Sequence, residues 1–303
     1  MKTSEQLDFK KYLDPSVVSK LNSLEMKARL VVEGFMVGLH KSPYHGFSVE
    51  FSEHRPYMQG DALKNIDWKV YAKTEKYYIK QFEEETNLIS HVILDVSRSM
   101  DFSYGNTPTK HHYGMMLSAS LIYLMLRQQD AAGISLYSDK IEAILPPKSN
   151  RTYLAELLRV LASVKPSNQT RTANCLNTIA EKVRRRGLVI IISDFFDDVE
   201  SVMKALRHFR YKQNEVIVFQ LLDPLELSFD FGQDAVFRDM EDGREITVQP
   251  YHIMKSYRET VQAFTDRIKT ECLNSGIEYN LIDTATPFDK ALLSYFKKRH
   301  KLH

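Results

Sequence analysis

Toward the N-terminus, apolar side chains recur every three to four positions at Leu21, Leu24, Ala28, Val31, Val32 and Phe35. That spacing predicts an amphipathic helix from about Pro15 to Leu39. The period is then lost in "HKSPYHGFSVEFSEHRPYMQGDALKNIDWKVYAKTEKYYIKQFEEET", rich in Gly, Pro and Tyr, where only "FSVEF" and "KYYIKQF" read as short strands. Beyond about residue 85, apolar runs alternate with helical periods: "LISHVILDVS", a helix over His111 to Gln129, "AAGISLYS", a short hairpin through "KIEAILPP", and a helix over Asn150 to Val164. Then come a helix from Ala173 to Arg186, "GLVIIISDF", a helix from Val199 to Tyr211, "NEVIVFQLLD", the hairpin "DAVFRDMEDGREITVQ", a helix from Tyr251 to Asn274, "IEYNLID", and a last helix from Pro287.

Runs such as "LVIII" have no polar alternation, so both their faces are covered, as in a parallel strand between two helix layers. The fold class is therefore α/β, a doubly wound, mostly parallel sheet, preceded by an N-terminal helix and a small loop/β-rich segment. The change of pattern divides the chain into 1–85 and 86–303. In such sheets ligands bind outside the carboxyl ends of the strands, where the connections diverge. The residues standing there are Asp95, Ser97 and Ser99 after the first strand, Asp194 after "LVIIIS", and Asp223 and Asp283 after two later ones.

With 303 residues and 43% hydrophobic side chains the chain is long and apolar enough for a sizeable core. A net charge of +2 with both signs interspersed argues against a nucleic-acid footprint. No signal-peptide pattern and no apolar run of about 18 residues occurs, so a cytoplasmic protein without a membrane span is expected. Cys175 and Cys272 lie outside any Cys/His cluster and read as reduced, buried thiols. "KVRRRG" reads as a helix end with Gly187 as terminator, and the tail "FKKRHKLH" as a solvated helix end.

Asp95-x-Ser97-x-Ser99 admits several chemistries. A nucleophilic serine sits on a strained elbow between small residues, with a later histidine to take its proton. Here Val96, Arg98 and Met100 are the neighbours, and no histidine follows a strand end. An aspartyl-phosphate enzyme needs a second acid where Ser97 stands. One carboxylate and two hydroxyls suit a hard cation, Mg²⁺ in the first place with Mn²⁺ or Ca²⁺ as substitutes. Few anionic direct ligands leave such a metal electrophilic, so it seeks a carboxylate from outside. The same residues also make helix caps and turns, and the choice turns on further hydroxyls and acids: Thr170 or Thr172 in "SNQTRTANCL", and Asp194 in "IIISDFFDD". The enzymatic alternative is a metal-dependent phosphoesterase or nuclease in which Asp95, Asp194, Asp197 and Asp198 hold one or two cations.

Asp95-x-Ser97-x-Ser99, a later threonine and a strand-end aspartate resemble the von Willebrand factor A fold and its metal-ion-dependent adhesion site (MIDAS). The resemblance implies Ser97 and Ser99 as direct Mg²⁺ ligands, Asp95 and Asp194 acting mainly through water, and Thr170 as a direct or water-bridged ligand. Within that superfamily the chain resembles the DUF58 proteins through Gly60-Asp61 and Ile66-Asp67-Trp68 ahead of "LDVSRSM", and through "RRRGLVIIISDFFDD". Ala62 and Lys64 stand where many members carry an acid and an arginine, and the threonine loop lacks the usual glycines. The implied function is a non-enzymatic protein-interaction module, an adaptor beside a MoxR-type AAA+ ATPase. No phosphate loop occurs here, so nucleotide hydrolysis would belong to that partner. Trp68, Tyr71, Tyr77 and Tyr78 read as packing for a small subdomain. Alternatively Arg55, Asp61, Lys64 and Asp67 form a recognition surface.

Overall fold

The computed structural model describes residues 23–40, 54–56, 68–80, 88–166, 171–231, 235–238, 245–248, 250–293 and 295. They fall into two compact units, one of Gly38–Asn87 and one of Met1–Val37 with Leu88–His303. "FSVEF", Asp61, Lys64, Asp67 and Thr170 lie outside the described residues.

Helix α1 (Leu24–His40) buries Ala28, Val31, Val32 and Phe35 of the periodic set, while Leu24 is half-buried and Leu21 lies outside the described residues. In the smaller unit β1 (His54–Pro56) and β2 (Tyr78–Lys80) pair antiparallel, Arg55 opposite Ile79, with helix α2 (Trp68–Thr74) between them in sequence. Tyr71 stacks on Tyr77 with ring centroids 4.5 Å apart and meets Trp68 edge-on at 6.0 Å. Tyr71 and Tyr77 thus contact each other, but Tyr77 is 46% and Trp68 58% exposed.

The larger unit is built on a six-stranded sheet: β3 (Ile89–Asp95), β4 (Ala131–Tyr137), β5 (Ile141–Lys148), β6 (Leu188–Ser193), β7 (Glu215–Leu222) and β10 (Glu278–Asp283). Their spatial order is β10-β7-β6-β3-β4-β5, all parallel except β5, which pairs antiparallel with β4. Pro146 and Pro147 lie on β5, at the sheet edge where proline is tolerated. Opposite them the strand register shifts at Gly133, where a Cβ would meet Pro147 N at 2.6 Å, so only glycine fits. The hairpin β8 (Ala235–Arg238) and β9 (Glu245–Val248) forms as its sequence suggests.

Both faces of the sheet are covered. On one, Ile93, Val189, Ile191, Val216 and Val218 pack with side chains of α5 (Thr172–Lys182), α6 (Val199–Tyr211) and α8 (Pro250–Asn274). On the other, α3 (Lys110–Arg127) comes so close at Gly114 that a Cβ would stand 2.8 Å from Leu94 Cδ1. Each fully buried Val, Leu or Ile contributes roughly 1.5–3 kcal/mol, and β6 and β7 are rich in them. Helix α4 (Tyr153–Ser163) and the short α7 (Pro224–Ser228) complete the connections, and residues 288–293 are again helical. None of the described helices is long and apolar enough to cross a membrane.

Gly187 differs from its expected role. Helix α5 ends at Lys182 with Val183 as its cap, and Gly187 instead precedes β6, pressed against β3. A Cβ there would lie 2.1 Å from the Ile89 carbonyl oxygen. The glycine is required by the close approach of two backbones, not by a helix end.

Candidate functional site

The chain leaves β3 in one direction toward β4 and β5, and later fills the other side with β6, β7 and β10. The switch point thus falls between β3 and β6, whose carboxyl ends carry Asp95 and Asp194. Asp95 is fully buried. Its Oδ1 accepts the Ser97 N–H at 2.8 Å and its Oδ2 accepts the Ser193 hydroxyl at 2.7 Å. Ser97 has ordinary extended backbone (φ −67°, ψ 165°) rather than a strained elbow, and a 3₁₀ turn over Arg98–Asp101 follows, pinned by buried Met100. The turn brings Ser97 Oγ to 3.1 Å from Ser99 Oγ. Ser97 is buried and Ser99 half-buried.

After β6 the chain reverses at Phe195, a buried non-glycine residue at φ 58°. A left-handed conformation costs a non-glycine residue on the order of 1–2 kcal/mol. The turn is held by Phe195 N–H donating to Ser193 Oγ at 2.9 Å and Asp197 N–H donating to the Phe195 carbonyl at 2.7 Å. It aims Asp194 inward and leaves Phe196 at the surface, 38% exposed.

Asp194 has a partner that sequence reasoning missed. Lys110, the first residue of α3, is fully buried, and its Nζ donates to Asp194 Oδ2 at 2.8 Å and to Glu226 Oε1 at 2.6 Å. The same ammonium lies 4.8 Å from the ring centre of Phe196. Burial pulls the lysine down, but the charges and hydrogen bonds of Asp194 and Glu226 outweigh it and hold it above its ordinary value. Burial raises Glu226 against the pull of Lys110, whose Nζ lies within hydrogen-bond distance of both carboxylates. A lysine in the first turn of a helix opposes the helix dipole, and that is the sequence signal that could have marked it.

The remaining strand-end acids are separate. Asp223 caps α7 with a capping box completed by Glu226, and its Oδ2 accepts the Tyr104 N–H and the Thr107 hydroxyl. Asp283 accepts from Ala285 N–H. Asp198 caps α6, and Asp197 accepts the Asp198 N–H. Asp197 and Asp198 each accept a local backbone N–H.

Three observations test the site against a cation. Adjacent oxygens around octahedral Mg²⁺, at about 2.1 Å from the ion, lie about 3 Å apart, which the two serine hydroxyls match. Burial, and then the charge of Asp194, raise the Asp95 carboxyl to about 7 against the hydrogen bonds from Ser97 and Ser193. Thr172 Oγ1 and Tyr137 Oη are buried without a hydrogen bond of good geometry, although they lie near enough to influence one another. Among the described residues no three His, Cys, Asp or Glu side chains are grouped as a metal site, so a cation here would rely on hydroxyls. The donor set fits a hard ion. Cys175 and Cys272 are free and buried, and burial raises them to about 11 and about 12.

The family model described as "Protein of unknown function DUF58" matches residues 53–269. Uncharacterized protein Rv1480 of Mycobacterium tuberculosis (strain ATCC 25618 / H37Rv) is 26% identical over 242 residues, spanning 78% of this chain and 75% of that protein. Among solved structures, an aerotolerance-related membrane protein from Bacteroides fragilis NCTC 9343 is 19% identical with a TM-score of 0.47, over 69% of this chain and 98% of that one. The SpRpn10 VWA domain is 10% identical with a TM-score of 0.39, over 69% of this chain and 95% of that one.

Proposed function

The chain belongs to the DUF58 family, and from that premise we propose that it is a non-enzymatic interaction module that holds an acidic group of a protein partner through Mg²⁺. The observation that carries this reading is the Ser97–Ser99 hydroxyl pair, 3.1 Å apart beside a buried carboxylate that orients Ser97. Ser97 and Ser99 would hold the ion directly, Asp95 and Asp194 through water, and Thr170 would be a direct or water-bridged ligand, as the family resemblance implies. Bound there, the ion offers a Lewis-acidic position to an incoming carboxylate. Ser193 keeps Asp95 turned toward the serines, and exposed Phe196 provides an apolar rim for the partner. Family resemblance adds the further proposal of a MoxR-type AAA+ ATPase or its client as that partner, met in the cytoplasm during protein maturation or complex assembly.

Calorimetry with Mg²⁺ and Mn²⁺ tests the site. The wild type should bind one equivalent, and Ser97→Ala/Ser99→Ala should reduce affinity at least tenfold with the far-UV spectrum intact. Capture of the ATPase should need both Mg²⁺ and the two serines. Undiminished capture by the double serine variant would remove the metal from the mechanism.

A further inference from the structure

A buried ammonium already sits where an adhesion site concentrates its negative charge. Lys110 Nζ is bonded to one oxygen of Asp194 and to Glu226, while the other Asp194 oxygen accepts the Phe196 N–H at 3.2 Å. Both Asp194 oxygens are thereby occupied by chain donors. Glu226 is itself fixed, since its Oε2 accepts the Asp223 N–H at 2.8 Å, and the ring of Phe196 stands beside the ammonium. The lysine cannot swing into water without leaving two carboxylates behind, a costly state for buried charges.

We propose that Lys110 is a resident counter-cation of the crevice: it fixes one oxygen of Asp194, offsets its charge, and keeps divalent-ion affinity low until a partner carboxylate is added. This rests on the reading of Ser97 and Ser99 as cation ligands. The physical ground is that a fixed positive charge in a buried site repels a second cation over several ångströms with little screening. Lys110 is a positioning residue. It makes metal and partner interdependent, because the ion gains its missing negative charge from the protein that docks.

The experiment measures free Mn²⁺ by electron paramagnetic resonance during titration of the full chain. It compares wild type, Glu226→Gln and Lys110→Met/Glu226→Gln, each checked for fold by circular dichroism. In Glu226→Gln the ammonium stays beside Asp194 with one acid fewer, and Mn²⁺ should bind several-fold more weakly. The capping box survives, since Gln also accepts from the cap N–H. In the double variant the ammonium is gone and Asp194 is released, and Mn²⁺ should bind about tenfold or more tightly than in wild type. A merely structural role would weaken both. Equal Mn²⁺ affinity in wild type and double variant would overturn the role of Lys110 while leaving the serine site in place. Absence of Mn²⁺ binding in all three folded proteins would overturn both readings. Should the double variant fail to fold, an unchanged or tighter Glu226→Gln alone overturns the proposal.

Discussion

His91 offers the most quantitative test of how the sheet is buried. It lies on β3, four residues before Asp95, 6% exposed, with Nε2 2.8 Å from Ser135 Oγ on β4. Burial lowers its pKa from the ordinary 6.5 to about 4. In that interval the unfolded chain binds more protons than the folded one, so the stabilising contribution is complete above about pH 6.5 and is lost as pH falls toward 4. With 1.36 kcal/mol per pKa unit, the loss is about 2 kcal/mol between about pH 7.5 and about pH 5, and roughly 3 kcal/mol at its limit. Asp95, raised by burial, works in the opposite direction over the same range, gaining stability as pH falls, so the test must be differential. Urea unfolding of wild type and His91→Gln at the two pH values cancels the carboxylate, which both proteins share. Far-UV circular dichroism is the signal, because the single tryptophan, Trp68, belongs to the smaller unit. The wild type should lose about 2 kcal/mol more than the variant on acidification. Equal losses in both proteins would refute the assignment of a neutral, proton-resisting imidazole inside the sheet.

Two further substitutions probe the frame around the site. Gly187→Ala places a Cβ 2.1 Å from the Ile89 carbonyl oxygen, and should destabilise the larger unit by about 1–3 kcal/mol as overpacking does. Gly105→Ala, with nothing within 4 Å but a φ of +68°, should cost only about 1 kcal/mol; chemical denaturation of both variants checks the order. Asp223→Ala removes the acceptor for Leu225 N–H, Tyr104 N–H and the Thr107 hydroxyl together. It should cost roughly 2–4 kcal/mol and speed proteolysis between 103 and 108 relative to wild type.

Much of the larger unit was legible because parallel strands buried on both faces leave uninterrupted apolar runs, and "LVIIIS" is buried at every residue. The strand-end rule then led to Asp95 and Asp194. It could not separate them from Asp223 and Asp283, since a carboxylate that caps a helix and one that orients a ligand occupy the same place in sequence. Lys110 and Glu226 were illegible for a different reason. They are 116 residues apart, and a lysine in "PTKHHYG" looks like any solvated charge until the fold closes over it. Gly187 was misread because a basic run before a glycine resembles a helix end, whereas the local cause is the backbone of β3, 98 residues earlier in the chain at Ile89. The Gly-Asp and Ile-Asp-Trp elements carried the family resemblance without a local chemical argument, and of these only Trp68 is described.

The two prolines of β5 also constrain how this protein meets others. Pro146-Pro147 removes two successive amide donors from the edge strand, at the irregularity where three steps of β5 run against two of β4. A neighbouring chain therefore meets no main-chain donor along that stretch of the margin, which hinders its addition as an extra strand, a common route to both peptide capture and aggregation. Recognition at the two prolines falls to side chains more than to main chain, which gives up generic stickiness there in favour of partners selected by a few well-placed groups.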